Sequence, residues 1–281
     1  TLHPETVLTP DPNKPFKDLE GLFRQIQDLS NQVACGGNQA PGFFDDDIEE
    51  EKKDTISTGH PEIDKKLGGG IPVGSLVLVE GQSDAGKSVF CQQIIWGSLH
   101  NNFKVAVFTT ENTVRSLVPQ MRSLGLEIID HLLLGWCRIY PMKTSQVKGT
   151  AESTYSTIIS TMQKDKDFDL FIVDALTPIV SKTKGDETLV YLENCKNLCD
   201  KGKTVLNVTH TYAFEQDFLI RIRSVCDAHF KLMIEKVGDK LVKTLEVSKI
   251  RGAAQSTGNI LSFDVEPEIG MKIMPMSRAK A

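Results

Sequence analysis

The segment that most constrains the fold of this chain is a glycine-rich octapeptide, Gly81–Ser88. It reads GQSDAGKS and matches the pattern GxxxxGK[ST]. The apolar run Ser75–Glu80 before it predicts a buried strand, and the apolar spacing of Lys87–Leu99 after it predicts a helix. Glycines in this position let backbone N–H groups converge on an anion, and the helix N-terminus adds its dipole. The octapeptide therefore predicts a phosphate-binding loop (P-loop) between a strand and a helix.

All eight residues of this loop are candidate nucleotide contacts. Lys87 is expected to reach the β- and γ-phosphates of ATP, and the Ser88 hydroxyl is expected to bind Mg²⁺. The other six candidates are Gly81, Gln82, Ser83, Asp84, Ala85 and Gly86. The loop thus predicts ATP and Mg²⁺ as the cofactors.

Two acidic residues follow predicted strands. Asp174 closes the apolar strand Leu170–Asp174, where a carboxylate is expected to orient Mg²⁺ through water. Glu111 follows the predicted strand Lys104–Thr109, which we expect to lie beside the P-loop strand. Glu111 is therefore the candidate for positioning or deprotonating an attacking water. The alternative for Glu111 is an acid at a helix N-terminus, stabilised by the helix dipole.

Polar residues end two further strands. Thr209 and His210 close the strand TVLNVTH. A polar residue at that position could hydrogen-bond the γ-phosphate or relay its presence; the alternative is a capping role or a place in the core. Lys249 and Arg251 follow a strand near the C-terminus. They either reach the nucleotide of a neighbouring subunit, as an arginine finger does, or form a solvated turn.

From Thr55 onward, apolar strands alternate with helical patterns, which predicts an α/β fold with a mostly parallel sheet and helices on both faces. The tail alternates as antiparallel strands do, with a turn at Gly238-Asp239. We therefore expect antiparallel edge strands at the C-terminal end of the sheet. The nucleotide-binding domain is predicted to span residues 55–281.

Residues 1–54 form a predicted N-terminal extension. Apolar residues at three- and four-residue steps predict one amphipathic helix at about 16–33. Residues 45–54 are predicted to form an acidic linker. The helix either packs on the main domain, docks a partner, or is foreign to the natural protein.

Charge and hydropathy exclude several classes of function. The formal net charge is −5, and residues 1–54 carry 12 acidic and 5 basic side chains, so the remainder is close to neutral. A near-neutral domain lacks the basic surface of a nucleic-acid-binding protein, so no nucleic-acid partner is expected. No apolar stretch approaches the length of about 20 residues that spans a bilayer. We expect a cytoplasmic protein without a membrane span.

Two stretches, Ser57–Gly81 and Ser248–Ile273, are similar to the P-loop lead-in and the final strands of the KaiC-like branch of RecA-type ATPases. The resemblance covers about residues 55–275. Within that branch, further stretches resemble the accessory ATPase family of the archaellum, the archaeal flagellum. They are Leu132–Met142, Glu193–Phe214 and Ile220–Leu232.

This resemblance implies a RecA-like fold, ATP binding and assembly into a homo-oligomeric ring. It also implies contact with the secretion-type ATPase and the ring scaffold of the archaellum motor, at the cytoplasmic side of the membrane.

Two departures from the family pattern bear on hydrolysis. KaiC-like hydrolases usually carry two adjacent acids after the second strand, whereas this chain has Glu111-Asn112. Asp84 stands where a small residue is usual, which adds negative charge near the phosphates. We expect tight ATP binding with slow or negligible turnover, so that the nucleotide acts as an assembly switch.

Two other functions stay open from the sequence. The first is an active KaiC-class or recombinase-like ATPase that acts on nucleic acid or protein. The second is an autokinase, for which Ser256 and Thr257 are available phosphoacceptors.

Overall fold

The computed structural model describes residues 53–142, 151–180, 185–237, 240–251 and 259–274. The chain divides into two units, Thr1–Glu51 and Lys52–Ala281, and all described residues belong to the second. Several predicted features lie outside the described residues. They are the helix at 16–33, most of the linker at 45–54, the turn Gly238-Asp239, and Ser256 with Thr257.

Strands and helices alternate along the described residues. The strands are β1 (Thr55–Ile56), β2 (Ile71–Pro72), β3 (Leu76–Gly81), β4 (Val105–Thr109), β5 (Cys137–Pro141), β6 (Leu170–Asp174), β7 (Thr204–His210), β8 (Ala228–Val237), β9 (Lys240–Ile250), β10 (Asn259–Glu266) and β11 (Gly270–Met274). The helices are α1 (Pro61–Leu67), α2 (Lys87–His100), α3 (Val114–Ser123), α4 (Ile129–Leu133), α5 (Ala151–Lys164), α6 (Thr177–Val180), α7 (Gly185–Cys199) and α8 (Gln216–Val225). A 3₁₀ turn, Thr211–Ala213, follows β7.

Nine of these strands form one sheet in the order β11-β10-β9-β8-β3-β7-β6-β4-β5. The strands from β8 to β5 pair in parallel, and β9, β10 and β11 extend the sheet in antiparallel fashion. The predicted fold class is confirmed. Strands β1 and β2 form a separate two-stranded antiparallel sheet.

One expected pairing is wrong. Strand β4, which precedes Glu111, does not lie beside the P-loop strand β3, because β7 and β6 stand between them. The sequence pattern identified both strands as buried but carried no information about which buried strands pair.

Helices cover both faces of the parallel sheet. Successive side chains of the central strand point to opposite faces, so each face packs against a different set of helices. Val77 and Val79 of β3 pack with apolar residues of α2, while Leu76 and Leu78 pack with apolar residues of α5 and α7. Every residue of β3 is buried. A strand enclosed in this way reads as a continuous apolar run, which is how it was recognised in the sequence.

The parallel arrangement defines two opposite edges of the sheet. At the carboxyl edge, the parallel strands end at Gly81, Thr109, Asp174 and His210. At the amino edge they begin, and the antiparallel strand β9 ends there, since Ile250 pairs with Ala228. Among the described residues, no helix is long and apolar enough to cross a membrane.

Candidate nucleotide-binding site

The P-loop begins and turns at two glycines, Gly81 and Gly86, whose close neighbours leave little room for a side chain. A Cβ at Gly81 would lie 2.4 Å from the carbonyl oxygen of Leu232 in β8. Gly86 has φ of 92°, and a Cβ there would lie 3.0 Å from the ring of Phe263 in β10. Residues with positive φ and no side chain allow the close turn that an anion-binding loop needs. The strands β8 and β10 thus shape the loop from outside it.

Asp84 is the one non-glycine residue of this loop with positive φ, at 60°. Its side chain is exposed. Aspartate tolerates the left-handed region better than most residues. The acidic side chain therefore stands at the rim of the loop, as the sequence suggested.

Lys87, the first residue of α2, is buried at the carboxyl edge. Its Nζ donates to the carbonyl oxygen of Gln82 at 2.6 Å and lies 3.2 Å from Nδ1 of His210. Since a lysine ammonium only donates, Nδ1 of His210 is the acceptor and the ring proton is on Nε2. Burial lowers the pKa of Lys87, while the negative charges of Asp174 and Glu111 oppose that effect.

Asp174, at the end of β6, is a buried carboxylate with a raised pKa of about 7. Burial is the largest cause, the like charge of Glu111 adds to it, and the positive charge of Lys87 opposes it. Ser88 is half-buried in the first turn of α2. A hydroxyl and a carboxylate are the hard oxygen ligands that Mg²⁺ prefers, so the chemistry of Ser88 and Asp174 fits a magnesium site.

Glu111 reaches this site although two strands, β7 and β6, separate its strand from β3. Its Oε1 lies 3.9 Å from Nε2 of His210, and 43% of its side chain is exposed. Helix α3 begins just after it, with a capping box formed by Thr113 and Ser116. Glu111 thus lies near His210 and also close to the N-terminus of α3, so both roles considered for it stay predictions.

The two polar residues that end β7 have different positions. His210 pairs in register with Gly81, and its backbone N–H donates to Oγ1 of Thr177 at 2.9 Å. Burial lowers the pKa of His210, and the charge of Lys87 lowers it further. Thr209 is fully buried and lies within the core of the sheet. Of the pair, it is His210 that contacts the P-loop lysine.

Lys249 and Arg251 lie at the opposite, amino edge. Lys249 donates to the carbonyl oxygens of Arg223, Ser224 and Cys226 at the C-terminal end of α8. Arg251 lies 3.4 Å from the carboxylate of Asp227 and is 58% exposed. Within one chain, neither residue meets the P-loop. A role at a neighbouring subunit's nucleotide stays a prediction.

Three contacts of the site were missed by the sequence reasoning. Thr177 anchors the backbone of His210, and Oγ1 of Thr110 accepts from the backbone N–H of Ala175, next to Asp174. The ring of Tyr212 stacks on His210 with a centroid distance of 5.0 Å. Of the three, only the stack on Tyr212 had a signal in the sequence, namely an aromatic residue two positions after His210.

The site has a glycine loop between the central strand and a buried helix. A carboxylate and a histidine lie at the ends of neighbouring parallel strands. This arrangement defines a RecA-like P-loop domain. The family model described as "ATPase: KaiC" matches residues 56–278. The chain therefore belongs to the KaiC-like family of RecA-type ATPases.

Proteins of known name and structure agree with this assignment. The archaeal flagellar ATP-binding protein FlaH of Sulfolobus acidocaldarius is 31% identical over 229 residues, which are 80% of this chain and 99% of FlaH. The crystal structure of the flagellar accessory protein FlaH from Methanocaldococcus jannaschii has a TM-score of 0.71 at 24% identity and covers 80% of this chain and 100% of that one. A KaiC-like protein from Pyrococcus horikoshii has a TM-score of 0.65 at 19% identity, covering 79% and 99%.

Proposed function

We propose that this protein binds ATP with Mg²⁺ at Gly81–Ser88, hydrolyses it slowly or not at all, and serves as an ATP-binding accessory component of the archaellum motor. One observation carries the proposal: Lys87 is held at the carboxyl edge of the sheet, beside His210, Glu111 and the buried Asp174. A buried ammonium at the mouth of a glycine loop matches the β- and γ-phosphates of a nucleotide.

Each residue then has a distinct role. The backbone N–H groups of the loop bind phosphate oxygens, Lys87 neutralises their charge, and His210 senses the γ-phosphate from the neighbouring strand. Ser88 and Asp174 would hold Mg²⁺, which would supply charge neutralisation at the phosphates when it is bound. Glu111 is the residue that positions an attacking water.

Slow hydrolysis follows from the surroundings of Glu111. Its carboxylate is partly exposed, and the neighbouring Asn112 is an amide whose Oδ1 accepts from Ser116. An amide supplies neither a second base nor a second negative charge beside Glu111. Asp84 adds a negative charge at the loop. A bound ATP therefore persists long enough to act as an assembly switch.

The similarity to FlaH supports the place of this protein in the cell. FlaH of Sulfolobus acidocaldarius is described as an archaeal flagellar ATP-binding protein and is matched over nearly its whole length. We place this protein in the cytoplasm at the motor, in contact with the secretion-type ATPase and the ring scaffold. In a homo-oligomeric ring, Lys249 and Arg251 of one subunit reach the nucleotide of the next.

Calorimetric ATP binding and single-turnover hydrolysis, measured on the same sample, test the proposal. We expect Lys87→Ala to weaken ATP binding by about 100-fold or more, since it removes a charge-assisted contact to the phosphates. Lys65→Ala, which changes an exposed lysine of α1, is the matched control and should bind ATP normally. The low end of common enzyme rates is about 1 s⁻¹. If wild-type turnover exceeds that rate and Glu111→Gln loses it, the protein would instead be an active ATPase.

Co-sedimentation with the motor ATPase tests the assembly switch. ATP is expected to favour the assembled state by its higher affinity for that state. We expect wild-type protein to assemble with ATP and Lys87→Ala protein to assemble poorly. Equal assembly of both proteins would contradict nucleotide gating while leaving ATP binding itself intact.

A further inference from the structure

Tyr212 occupies an unusual position for an aromatic residue. It lies in the 3₁₀ turn after β7 and is 69% exposed, so little of its ring is buried in the core. The ring stacks on His210 with a centroid distance of 5.0 Å and an interplanar angle of 28°. An exposed tyrosine whose described ring contact is a site histidine acts on that histidine more than on the fold.

His210 is held between Tyr212 and Lys87. Its Nδ1 accepts from Lys87 at 3.2 Å, and its Nε2 faces Glu111 at 3.9 Å. The backbone of His210 is anchored by the hydrogen bond to Thr177, but that bond does not fix the ring. The stack on Tyr212 therefore restricts the rotation of the imidazole and keeps Nδ1 directed at the ammonium.

The contact between His210 and Lys87 competes with phosphate. A lysine ammonium has three hydrogen-bond donors. In this arrangement two of them serve the carbonyl oxygen of Gln82 and Nδ1 of His210, which leaves one. A lysine that bridges the β- and γ-phosphates needs two donors, so phosphate binding requires one of the present contacts to break. The Gln82 carbonyl belongs to the loop itself, whereas the His210 ring is able to turn away.

We infer that Tyr212 is a positioning residue that sets the ATP affinity of the site, because its stack on His210 holds the histidine in the orientation that competes with phosphate for Lys87. This inference rests on the proposed ATP binding at Gly81–Ser88. An interaction that stabilises the competing arrangement lowers the apparent affinity for the ligand. The stack thus makes ATP binding weaker than the loop alone would allow, and ATP binding releases the Tyr212 ring at the surface.

Substitution of the tyrosine tests the sign of this effect. Because stacked aromatic rings stabilise each other modestly, Tyr212→Ala is expected to tighten ATP binding by about 2- to 10-fold in calorimetry. Tyr212→Phe retains the ring and should restore the wild-type affinity. Leu241→Ala, which truncates an exposed apolar residue of β9, should leave the affinity unchanged. Unchanged or weaker ATP binding by Tyr212→Ala would overturn the inference.

A double-mutant cycle shows whether the effect passes through the histidine. In a His210→Ala protein the stack no longer exists, so the further change Tyr212→Ala is expected to have no effect on ATP affinity. An equal effect of Tyr212→Ala with and without His210 would mean that the tyrosine acts by another route, and it would overturn the inference.

A spectroscopic measurement separates this inference from the proposed function. The chain has four tyrosines, so protein labelled with 3-fluorotyrosine gives few ¹⁹F resonances, and loss of one in Tyr212→Phe assigns it. We expect ATP to shift the Tyr212 resonance and leave those of the buried Tyr155 and Tyr191 in place. If calorimetry detects no ATP binding, the proposed function fails. If ATP binds and the Tyr212 resonance does not move, only the inference fails.

Discussion

Two aspartates, one at each edge of the parallel sheet, differ in what their surroundings do to their charge. Asp174 at the carboxyl edge and Asp227 at the amino edge are each 8% exposed. Burial tends to raise the pKa of both carboxyl groups, yet the pKa of Asp174 rises to about 7 and that of Asp227 falls below its ordinary value. Equal solvent exposure therefore does not decide the protonation state, and the Asp174 carboxyl group lies deeper within the protein than that of Asp227.

The depth of burial and the partners of each carboxylate together account for the difference. Asp227 accepts from Nζ of Lys196 at 2.5 Å and from the backbone N–H of Leu76 at 2.9 Å, and Arg251 lies nearby. These contacts favour its charged form enough to outweigh burial. Asp174 instead faces the like charge of Glu111, and Lys87 compensates it in part. The amino edge is electrostatically compensated and holds the fold together, whereas the carboxyl edge keeps charges that a nucleotide and its cation would neutralise.

The largest expected effect is a gain in stability when the carboxyl edge loses a charge. Asp174→Asn should raise the free energy of unfolding by about 4 kcal/mol at pH 8, since each unit of pKa shift corresponds to about 1.36 kcal/mol and the pKa rises from 3.8 to about 7. The raised pKa stabilises the folded state fully below the unfolded pKa of 3.8, and this contribution is lost as pH rises to about 7. The gain should therefore grow between about pH 4 and 7 and stay constant above. Urea unfolding at several pH values measures it.

The same change tests the proposed magnesium site. Asp174→Asn should abolish the Mg²⁺ dependence of ATP binding in calorimetry. Wild-type protein should bind ATP with Mg²⁺ more weakly as pH falls below 7, because protons compete for the carboxylate. A stability gain with an unchanged Mg²⁺ requirement would remove Asp174 from the site.

The opposite result is expected at the amino edge. Asp227→Ala leaves the Leu76 N–H and Lys196 without their acceptor and should cost about 2 kcal/mol of unfolding free energy at pH 7. Because the pKa of Asp227 is lowered, its contribution is present above the ordinary aspartate pKa and lost as pH falls through the lowered value. ATP affinity should not change. Asp200→Ala, at an exposed aspartate, is the control in the same unfolding experiment.

A smaller effect is expected at the rim of the P-loop. Asp84→Gly removes a negative charge near the phosphates and relieves a positive φ, so ATP binding should tighten by about fivefold, or about 1 kcal/mol. Asp84→Asn removes the charge and keeps the side chain, so it separates the two causes. If Asn and Gly give the same gain, charge accounts for the effect. Weaker ATP binding by either variant would show that the carboxylate assists the site.

The smallest effect on stability is expected for Arg251. Its side chain is mostly exposed, so Arg251→Ala should change the unfolding free energy by less than about 0.5 kcal/mol. Light scattering shows at which protein concentrations oligomers form. If ATP affinity is lost only at those concentrations, the result would support a contact between Arg251 and the nucleotide of a neighbouring subunit. The same loss in the monomer would contradict it, because this arginine lies at the edge away from its own P-loop.

Much of the fold was predictable because its signals are local. The buried strands β3, β6 and β7 read as apolar runs, and the tail alternates with the period of antiparallel strands. The turn chemistry of GQSDAGKS placed the loop between strand and helix. The order of strands was not predictable in the same way, since pairing joins residues far apart in the chain. For that reason β4 was expected beside β3, whereas two strands separate them in the sheet.

The candidate site likewise has residues that local motifs identified and placements that depend on strand order. Lys87, Ser88 and Asp174 were identified from motifs whose chemistry resides in adjacent residues. The sequence by itself determined a P-loop, its loop residues and an α/β fold with an antiparallel tail, because these depend on local backbone geometry and on hydrophobic period. Only the tertiary structure decided that His210 stands between Lys87 and Tyr212, and that Lys249 and Arg251 lie at the far edge. Those placements follow from strand order and direction, which packing of the whole sheet selects.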